Sequence, residues 1–336
     1  MSIFKKDKLQ ILGFQGYGTS NKLYVRGRAL EDEAIDLQEK GFFRLLQNTW
    51  KRFETDEIKH TAIMVTLPDA ATYTATTDKD GYFLIKEAVG QLATMANTAG
   101  WVNLELSYLD ANLKKEILHQ NRFPTEMLIP TSAANYGVIS DIDDTILHTG
   151  VVSSLKWRVL VNTVFKRATK RFAIEGTASF YHMLHRGKTG IAANPIFYVS
   201  HSPWNLYRYL ELFLKTNGFP KGPILLRSMA SFRAKNRKSP APQKQHEIVN
   251  ILEMYPELSF VLIGDSGEKD GAIYIEIAKR YPNQVKAIYL RSVNDKKRIA
   301  RVIKLFTDFK QVPFLLVIET KDAIIHAQEH GFIKVD

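Results

Sequence analysis

The first half of the chain alternates hydrophobic and polar positions with a period of two. In residues 101–108, one face carries Val102, Leu104, Leu106 and Tyr108, as in a half-buried strand. The same alternation predicts strands over residues 22–30, 61–67, 71–77 and 81–89, and Asp78 to Gly81 has the composition of a hairpin turn. The pattern predicts a small antiparallel β-sandwich, which a helical insertion near residues 30–53 interrupts.

After about residue 133 the pattern changes to short, fully apolar runs that alternate with helical periodicity. The predicted strands are 137–140, 196–200, 224–226, 260–263, 285–290 and 312–318. The predicted helices are 177–185, 206–216, 243–255 and 271–280. This alternation is typical of an α/β fold, a parallel sheet with helices on both faces. A linker is expected near Met127 to Thr131.

Length and composition narrow the class of protein. The 336 residues suffice for two domains, and the absence of cysteine excludes disulfides, thiolate metal sites and cysteine nucleophiles. The start of the chain lacks a signal-peptide core and the apolar runs are too short to span a bilayer, so we expect a cytoplasmic protein. The net charge of +11 favours a polyanionic partner, namely nucleic acid, an anionic membrane or a phosphorylated substrate.

Polar side chains follow the predicted parallel strands at their carboxyl ends, where such sheets bind ligands. Asp141 and Asp143 follow the first strand, and Ser200 ends the second. The fourth strand runs into a turn that holds Asp265 and Asp270, and Lys244 opens the preceding helix.

The spacing of Asp141 and Asp143 suits phosphate-ester chemistry. Residues i and i+2 leaving a strand point the same way, so both carboxylates can face one phosphate. Asp141 is the candidate nucleophile, which forms an aspartyl-phosphate, and Asp143 is the candidate general acid and base. These roles lead us to expect a solvent-accessible Asp141, and an Asp143 that shares one metal ion with Asp265.

So many carboxylates would repel an anionic substrate unless a cation neutralised them. Mg²⁺ prefers a few carboxylates, waters and a substrate phosphate oxygen. The expected ligands are Asp141, the backbone carbonyl of Asp143, and Asp265, with Asp270 supporting or completing the shell. Ser200 and Lys244 are expected to hold the phosphoryl oxygens.

These motifs resemble those of the haloacid dehalogenase (HAD) superfamily, in order and each at a strand end. The sequences of residues 138–146, 198–206 and 260–270 are more specific, and they resemble those of the actin-patch phosphatidate phosphatase family. One departure is that Gln243 precedes Lys244, where a His-Lys pair is expected. The resemblance implies Mg²⁺-dependent removal of phosphate from phosphatidate by a HAD-like domain over residues 134–336. It also implies an N-terminal β-sandwich. We expect this domain to span residues 1–130 and to be immunoglobulin-like or transthyretin-like.

Two basic segments bear on the substrate and its surroundings. The pattern of residues 155–172 predicts a cationic amphipathic helix. This helix either lies in the interface at the inner face of a membrane or packs on the core of the domain. The acid-free run from Lys215 to Lys244 fits a phosphate head group, a membrane surface or nucleic acid equally well. A lipid phosphatase is the leading hypothesis. The alternatives are a phosphatase of nucleic-acid ends or phosphoproteins, and a binding module with vestigial catalysis.

Overall fold

The computed structural model describes residues 8–32, 57–109, 113, 115–143, 145–146, 176–227, 243–267, 269–292 and 295–335. These residues divide into two compact units, one within residues 1–130 and 205–209, the other within residues 131–204 and 210–336. No helix within the described ranges combines the length and apolar character needed to cross a membrane.

The first unit contains one sheet of seven strands. They are β1 (Lys8–Thr19), β2 (Lys22–Asp32), β3 (Ala62–Thr66), β4 (Thr72–Thr76), β5 (Tyr82–Ala88), β6 (Trp101–Tyr108) and β7 (Phe123–Leu128). Their order across the sheet is β4-β3-β6-β7-β1-β2-β5. Neighbouring strands are antiparallel except β1 and β7, which run parallel with Gly16 opposite Met127. The prediction of an antiparallel arrangement therefore holds for every neighbouring pair but this one.

The predicted alternation places the core of this sheet correctly. Val102, Leu104, Leu106 and Tyr108 are all buried. The predicted hairpin turn is confirmed, because Gly81 has a φ of 76° and the Asp78 carboxylate accepts from the backbone N–H of Tyr82 at 2.9 Å. The predicted helical insertion near residues 30–53 starts at the end of β2, where Leu30 pairs with Gln10. The rest of this insertion lies outside the described residues. That the seven strands form a β-sandwich stays a prediction.

The second unit contains a sheet of six strands, all parallel to their neighbours. They are β8 (Gly137–Asp141), β9 (Ile196–Pro203), β10 (Ile224–Arg227), β11 (Phe260–Asp265), β12 (Val285–Arg291) and β13 (Phe314–Val317). Their order is β10-β9-β8-β11-β12-β13. The predicted parallel sheet is confirmed.

Six α-helices accompany this sheet in the described residues. They are α1 (Thr177–Arg186), α2 (Tyr207–Thr216), α3 (Gln243–Met254), α4 (Asp270–Arg280), α5 (Lys296–Thr307) and α6 (Thr320–Glu329). The first four were predicted, whereas α5 and α6 were not. The predicted basic helix over residues 155–172 and much of the predicted basic loop lie outside the described residues.

The two central strands position the candidate site. Every residue of β8 and β11 is buried, so both faces of these strands are covered by protein. Ser140 pairs with Ile263, which brings the carboxyl ends of β8 and β11 side by side. The chain also reverses its direction across the sheet between these two strands, because β9 and β10 lie on one side of β8 and β11 to β13 on the other.

Candidate active site

Asp141 ends β8, and Asp143 follows two residues later. Ile142 between them is completely buried in the apolar core, so strand alternation directs the two carboxylates away from it. The Thr145 hydroxyl donates a hydrogen bond to Asp141 Oδ2 at 3.0 Å. This contact fixes the orientation of the Asp141 carboxylate.

Lys244, in the first turn of α3, lies at the centre of the site. Its Nζ donates to Asp141 Oδ1 at 2.7 Å and to Asp270 Oδ1 at 2.5 Å, and all three side chains are buried. A buried ammonium is costly unless charged partners surround it, and two carboxylates supply that compensation here. This geometry places Lys244 between two of the predicted carboxylates.

Asp265 and Asp270 face each other across the turn between β11 and α4. Asp270 Oδ2 accepts from the backbone N–H of Asp265 at 3.3 Å, and Asp265 Oδ1 accepts from the backbone N–H of Gly267. Gly264 allows this approach, since a Cβ atom there would lie 2.4 Å from Asp270 Oδ2. The Gly-Asp sequence at the end of β11 is thus a packing requirement of the site.

Asp143 is held by two serine side chains from the end of β9. Ser200 Oγ donates to Asp143 Oδ2 at 2.5 Å, and Ser202 Oγ donates to the same oxygen at 3.1 Å. The backbone N–H of Ser202 in turn donates to Ser200 Oγ at 2.8 Å. Because a serine hydroxyl has one proton, the Ser200 proton points at Asp143 in this arrangement.

Three carboxylates form a group that suits a divalent cation. Asp141, Asp265 and Asp270 each offer one oxygen, and these oxygens lie within 4.8 Å of one another. Mg²⁺ prefers carboxylate oxygens among protein ligands, so these residues would be able to hold it. Among the described contacts, the Lys244 ammonium pairs with two of these carboxylates, those of Asp141 and Asp270. The donor set therefore fits the predicted ion.

The expectation that Asp141 is accessible to solvent is wrong. Its exposed fraction is 0%, and that of Asp143 is 8%. The physical reason is that Lys244 and Thr145 satisfy both oxygens of the Asp141 carboxylate from within the protein. Each carboxylate oxygen has two lone pairs, so one donor on each leaves Asp141 able to accept a further contact.

His201, between the two serines, lies in a strongly positive environment. Burial, together with the positive charges of Lys244, Arg227 and Lys269, lowers its pKa to about 3. His201 is therefore neutral near pH 7. Its neighbours are cations that favour an anionic ligand at this edge of the sheet.

Two of the contacts were not predicted from the sequence. Thr145 received no role, although it stands four residues after Asp141, where its hydroxyl can reach the carboxylate. The sequence prediction names Ser200 alone at the end of β9, whereas Ser200 and Ser202 both bind the same oxygen of Asp143. The periodicity of β9 contains a signal, because residues i and i+2 of a strand share a face.

Comparison with known protein families relates this sheet and site to a phosphatase catalytic domain. Residues 136–292 match the model of the family described as "Phosphatidate phosphatase APP1, catalytic domain". The match confirms the resemblance found in the sequence motifs.

Individual relatives agree with the family match. The chain is 34% identical over 230 residues to "Phosphatidate phosphatase APP1" of Saccharomyces cerevisiae, and 27% identical over 225 residues to an uncharacterized protein of Schizosaccharomyces pombe. Each alignment covers 66% of this chain but 35% of the relative, so the chain spans about a third of their length.

Among solved structures, that of Bacteroides thetaiotamicron EndoBT-3987 aligns over 84% of this chain and 77% of its own, with a TM-score of 0.24 and 6% identity. A likeness this low carries no argument about fold or function.

Proposed function

We propose that this chain is a Mg²⁺-dependent phosphatidate phosphatase, which hydrolyses a lipid phosphate monoester through an aspartyl-phosphate at Asp141. The observation that carries the proposal is the convergence of Asp141, Lys244, Asp265 and Asp270 within the segment that matches a phosphatidate phosphatase family.

The arrangement of the sheet supports a HAD-type, Rossmann-like architecture. Counting β8 to β13 as strands 1 to 6 gives the order 3-2-1-4-5-6, that of doubly wound sheets. Ligands of such sheets bind beyond the carboxyl ends of the strands, where the order reverses. Asp141 and Asp265 stand at the ends of the two strands that flank this point.

In the proposed first step, an Asp141 carboxylate oxygen attacks the phosphorus and the bond to the leaving oxygen breaks. Lys244 and Thr145 hold the carboxylate in a single orientation, which reduces the entropy lost in reaching the attacking geometry. The Lys244 ammonium lies against the nucleophile and is placed to stabilise the charge that develops on the phosphoryl oxygens.

Asp143 is the proposed proton donor and acceptor. It gives its proton to the leaving alkoxide, then takes one from the water that attacks the aspartyl-phosphate and releases inorganic phosphate. The hydroxyls of Ser200 and Ser202 hold one Asp143 oxygen in place. In this proposal Ser200 also binds a phosphoryl oxygen, which requires its proton to turn from Asp143 to the substrate.

The proposed Mg²⁺ ligands are the carboxylates of Asp141 and Asp265 and the backbone carbonyl of Asp143. Both oxygens of Asp270 accept hydrogen bonds from Lys244 and Asp265; a carboxylate oxygen has two lone pairs, so Asp270 supports the shell or shares an oxygen with the ion. When bound, Mg²⁺ neutralises the carboxylates and polarises the phosphate.

A lipid substrate implies an anionic membrane surface as the partner and a cytoplasmic enzyme bound peripherally to a membrane. The positive surroundings of His201 support an anionic substrate. They suit a nucleic-acid end or a phosphoprotein as well, so the substrate class needs a direct comparison.

Release of inorganic phosphate from phosphatidate vesicles tests the proposal. We expect release by the wild-type chain with Mg²⁺, none with chelator, and a loss of about 10⁴-fold or more in Asp141→Asn, because an amide cannot form the aspartyl-phosphate. Lys279→Gln, an exposed change on α4, is the matched control. Faster release from a phosphorylated oligonucleotide or phosphopeptide than from phosphatidate would replace the lipid assignment with the alternative.

A further inference from the structure

Helix α5 presents a basic surface at the side of the parallel sheet. Its residues 296–307 contain five basic side chains and no acidic one; the basic residues are Lys296, Lys297, Arg298, Arg301 and Lys304. All of them except Arg298 are exposed. Lys297, Arg301 and Lys304 follow one another at spacings of four and three, which places them on one stripe of the helix.

The opposite face anchors the helix to the sheet. Val302 and Phe306 are buried, and the ring of Phe306 stacks on that of Phe314 in β13 with centroids 3.7 Å apart. The Asp295 carboxylate caps the helix by accepting from the backbone N–H groups of Lys297 and Arg298. The basic stripe is therefore held on a fixed scaffold.

Two aliphatic side chains flank the basic stripe. Ile303 is 52% exposed and Leu305 is 40% exposed, and they stand on opposite flanks of the stripe. Exposed aliphatic groups beside basic ones favour a membrane interface, where the aliphatic groups leave water and the ammonium groups meet lipid phosphates.

The helix begins at the same edge of the sheet as the candidate active site. Arg298 Nη1 donates to the backbone carbonyl of Gly267 at 3.2 Å, and Gly267 belongs to the turn that follows Asp265. A surface that engages the first turn of α5 therefore lies beside the carboxylates.

We infer that the exposed face of α5, defined by Lys296, Lys297, Arg301, Ile303 and Lys304, docks the enzyme on an anionic lipid bilayer. The inference rests on the proposed function, because the bilayer carries the substrate to the site beside α5. A nucleic-acid partner fits this face less well, since its exposed residues include no aromatic side chain for base stacking and no amide for base-edge hydrogen bonds.

Vesicle binding tests the charge of this face without requiring hydrolysis. The triple change Lys296→Gln, Lys297→Gln and Lys304→Gln keeps good helix formers and removes three charges. With phosphatidylcholine vesicles that contain phosphatidylserine, we expect binding of the triple variant to weaken about 100-fold. The control changes Lys188→Gln, Lys215→Gln and Lys279→Gln remove the same charge near the carboxyl ends of α1, α2 and α4, and this control should bind like the wild type. Equal binding by the triple variant and the wild type, or equal losses in both triples, would overturn the inference.

A labelled cysteine tests contact with the bilayer in a second way. The chain has no cysteine, so Ile303→Cys creates one labelling site for an environment-sensitive fluorophore. Its emission should shift to the blue on the anionic vesicles, whereas the label at Ile191→Cys, also strongly exposed but preceding β9, should not shift. An unshifted Ile303 label, or displacement of the protein from vesicles by an oligonucleotide that binds it more tightly, would refute docking through α5.

These outcomes are separate from those for the proposed function. Hydrolysis of the water-soluble ester p-nitrophenyl phosphate should be unchanged by the α5 triple variant, because none of the changed residues touches the candidate site. Binding without hydrolysis would refute the proposed function and leave the docking face, whereas hydrolysis with unaltered binding in the triple variant would refute the docking face alone.

Discussion

At the scale of single residues, Lys244 connects most of the site. Its ammonium joins Asp141 on β8 to Asp270 on α4, and Asp270 in turn binds the backbone of Asp265. Removing one partner of a buried ion pair leaves uncompensated charge, which costs far more than the pair contributes.

The change Lys244→Met should therefore destabilise the fold strongly. We expect a loss of about 3 to 5 kcal/mol in the free energy of unfolding when chelator is present. Mg²⁺ should restore part of this loss in urea unfolding, because the ion compensates the same carboxylates. The exposed change Lys279→Met should have little effect. A Lys244→Met variant as stable as the wild type would show that the ammonium does not neutralise these groups.

His201 offers a prediction about pH. Its pKa is about 3 in the folded protein and 6.5 in the unfolded chain, so between these values the unfolded state binds a proton that the folded state does not. Stability should therefore fall as pH drops from 6.5 towards 3. His201→Gln should lose stability less steeply in urea unfolding over this window. An NMR titration of the His201 ring with a midpoint near 6.5 would contradict the assigned environment.

At the scale of elements, the turn from β11 into α4 depends on Gly264. Its missing side chain leaves room for the Asp270 carboxylate, which contacts both Lys244 and Asp265. The surrounding strand is fully buried, so the backbone has little freedom to move aside.

Gly264→Ala should displace Asp270 and weaken both metal binding and catalysis. We expect Mg²⁺ affinity, measured by calorimetry, to fall about 10-fold or more, as for other changes that misplace ligands through their supporting contacts. Gly90→Ala is a suitable control, since a Cβ atom there meets nothing within 4 Å. Unchanged Mg²⁺ affinity in Gly264→Ala would indicate that Asp270 does not support the ion.

The sequence predicted most elements, and the failures have physical causes. Strand β1 was missed because it contains Gly13, Gly16 and Gly18, and glycine is depleted in strands. These glycines lie where other segments of the chain approach closely and leave no room for a side chain. A Cβ atom on Gly18 would lie 2.2 Å from the carbonyl oxygen of Lys22. Helix α6 buries only two alanines, Ala323 and Ala327, so its apolar stripe is weak.

Helix α5 was missed although its signals are present. Asp295 supplies a capping residue, and apolar residues at 299, 302, 303 and 306 follow with helical spacing. Its strongly basic character concealed this pattern. The parallel pairing of β1 with β7 joins residues that are more than a hundred positions apart in the chain. Such tertiary pairing has no local signal in the sequence.

At the scale of the whole molecule, the positions of the candidate residues along the chain were easier to predict than their burial and their hydrogen bonds. The order of Asp141, Ser200 and Asp265 follows from strand ends in one parallel sheet, and Lys244 opens a helix between two of these strands. The burial of Asp141 and the binding of Ser200 to Asp143 depend on distances between side chains from different strands and helices, which periodicity does not specify.

The family match and the structure contribute different parts of the account. The match over residues 136–292 gives the likeness to a phosphatase catalytic domain, and the chain spans about a third of the length of the relatives. The structure contributes the contacts between the carboxylates and Lys244, from which the proposed chemistry at Asp141 is derived.

Trapping the covalent intermediate tests this chemistry most directly. Phosphatidate with a radiolabelled phosphate group is mixed with the enzyme and Mg²⁺, the reaction is quenched in acid, and the labelled peptide is identified. We predict label on the peptide that contains Asp141, absent from Asp141→Asn and chased by unlabelled substrate. Phosphate release without any labelled protein, or by an active Asp141→Asn variant, would contradict the account.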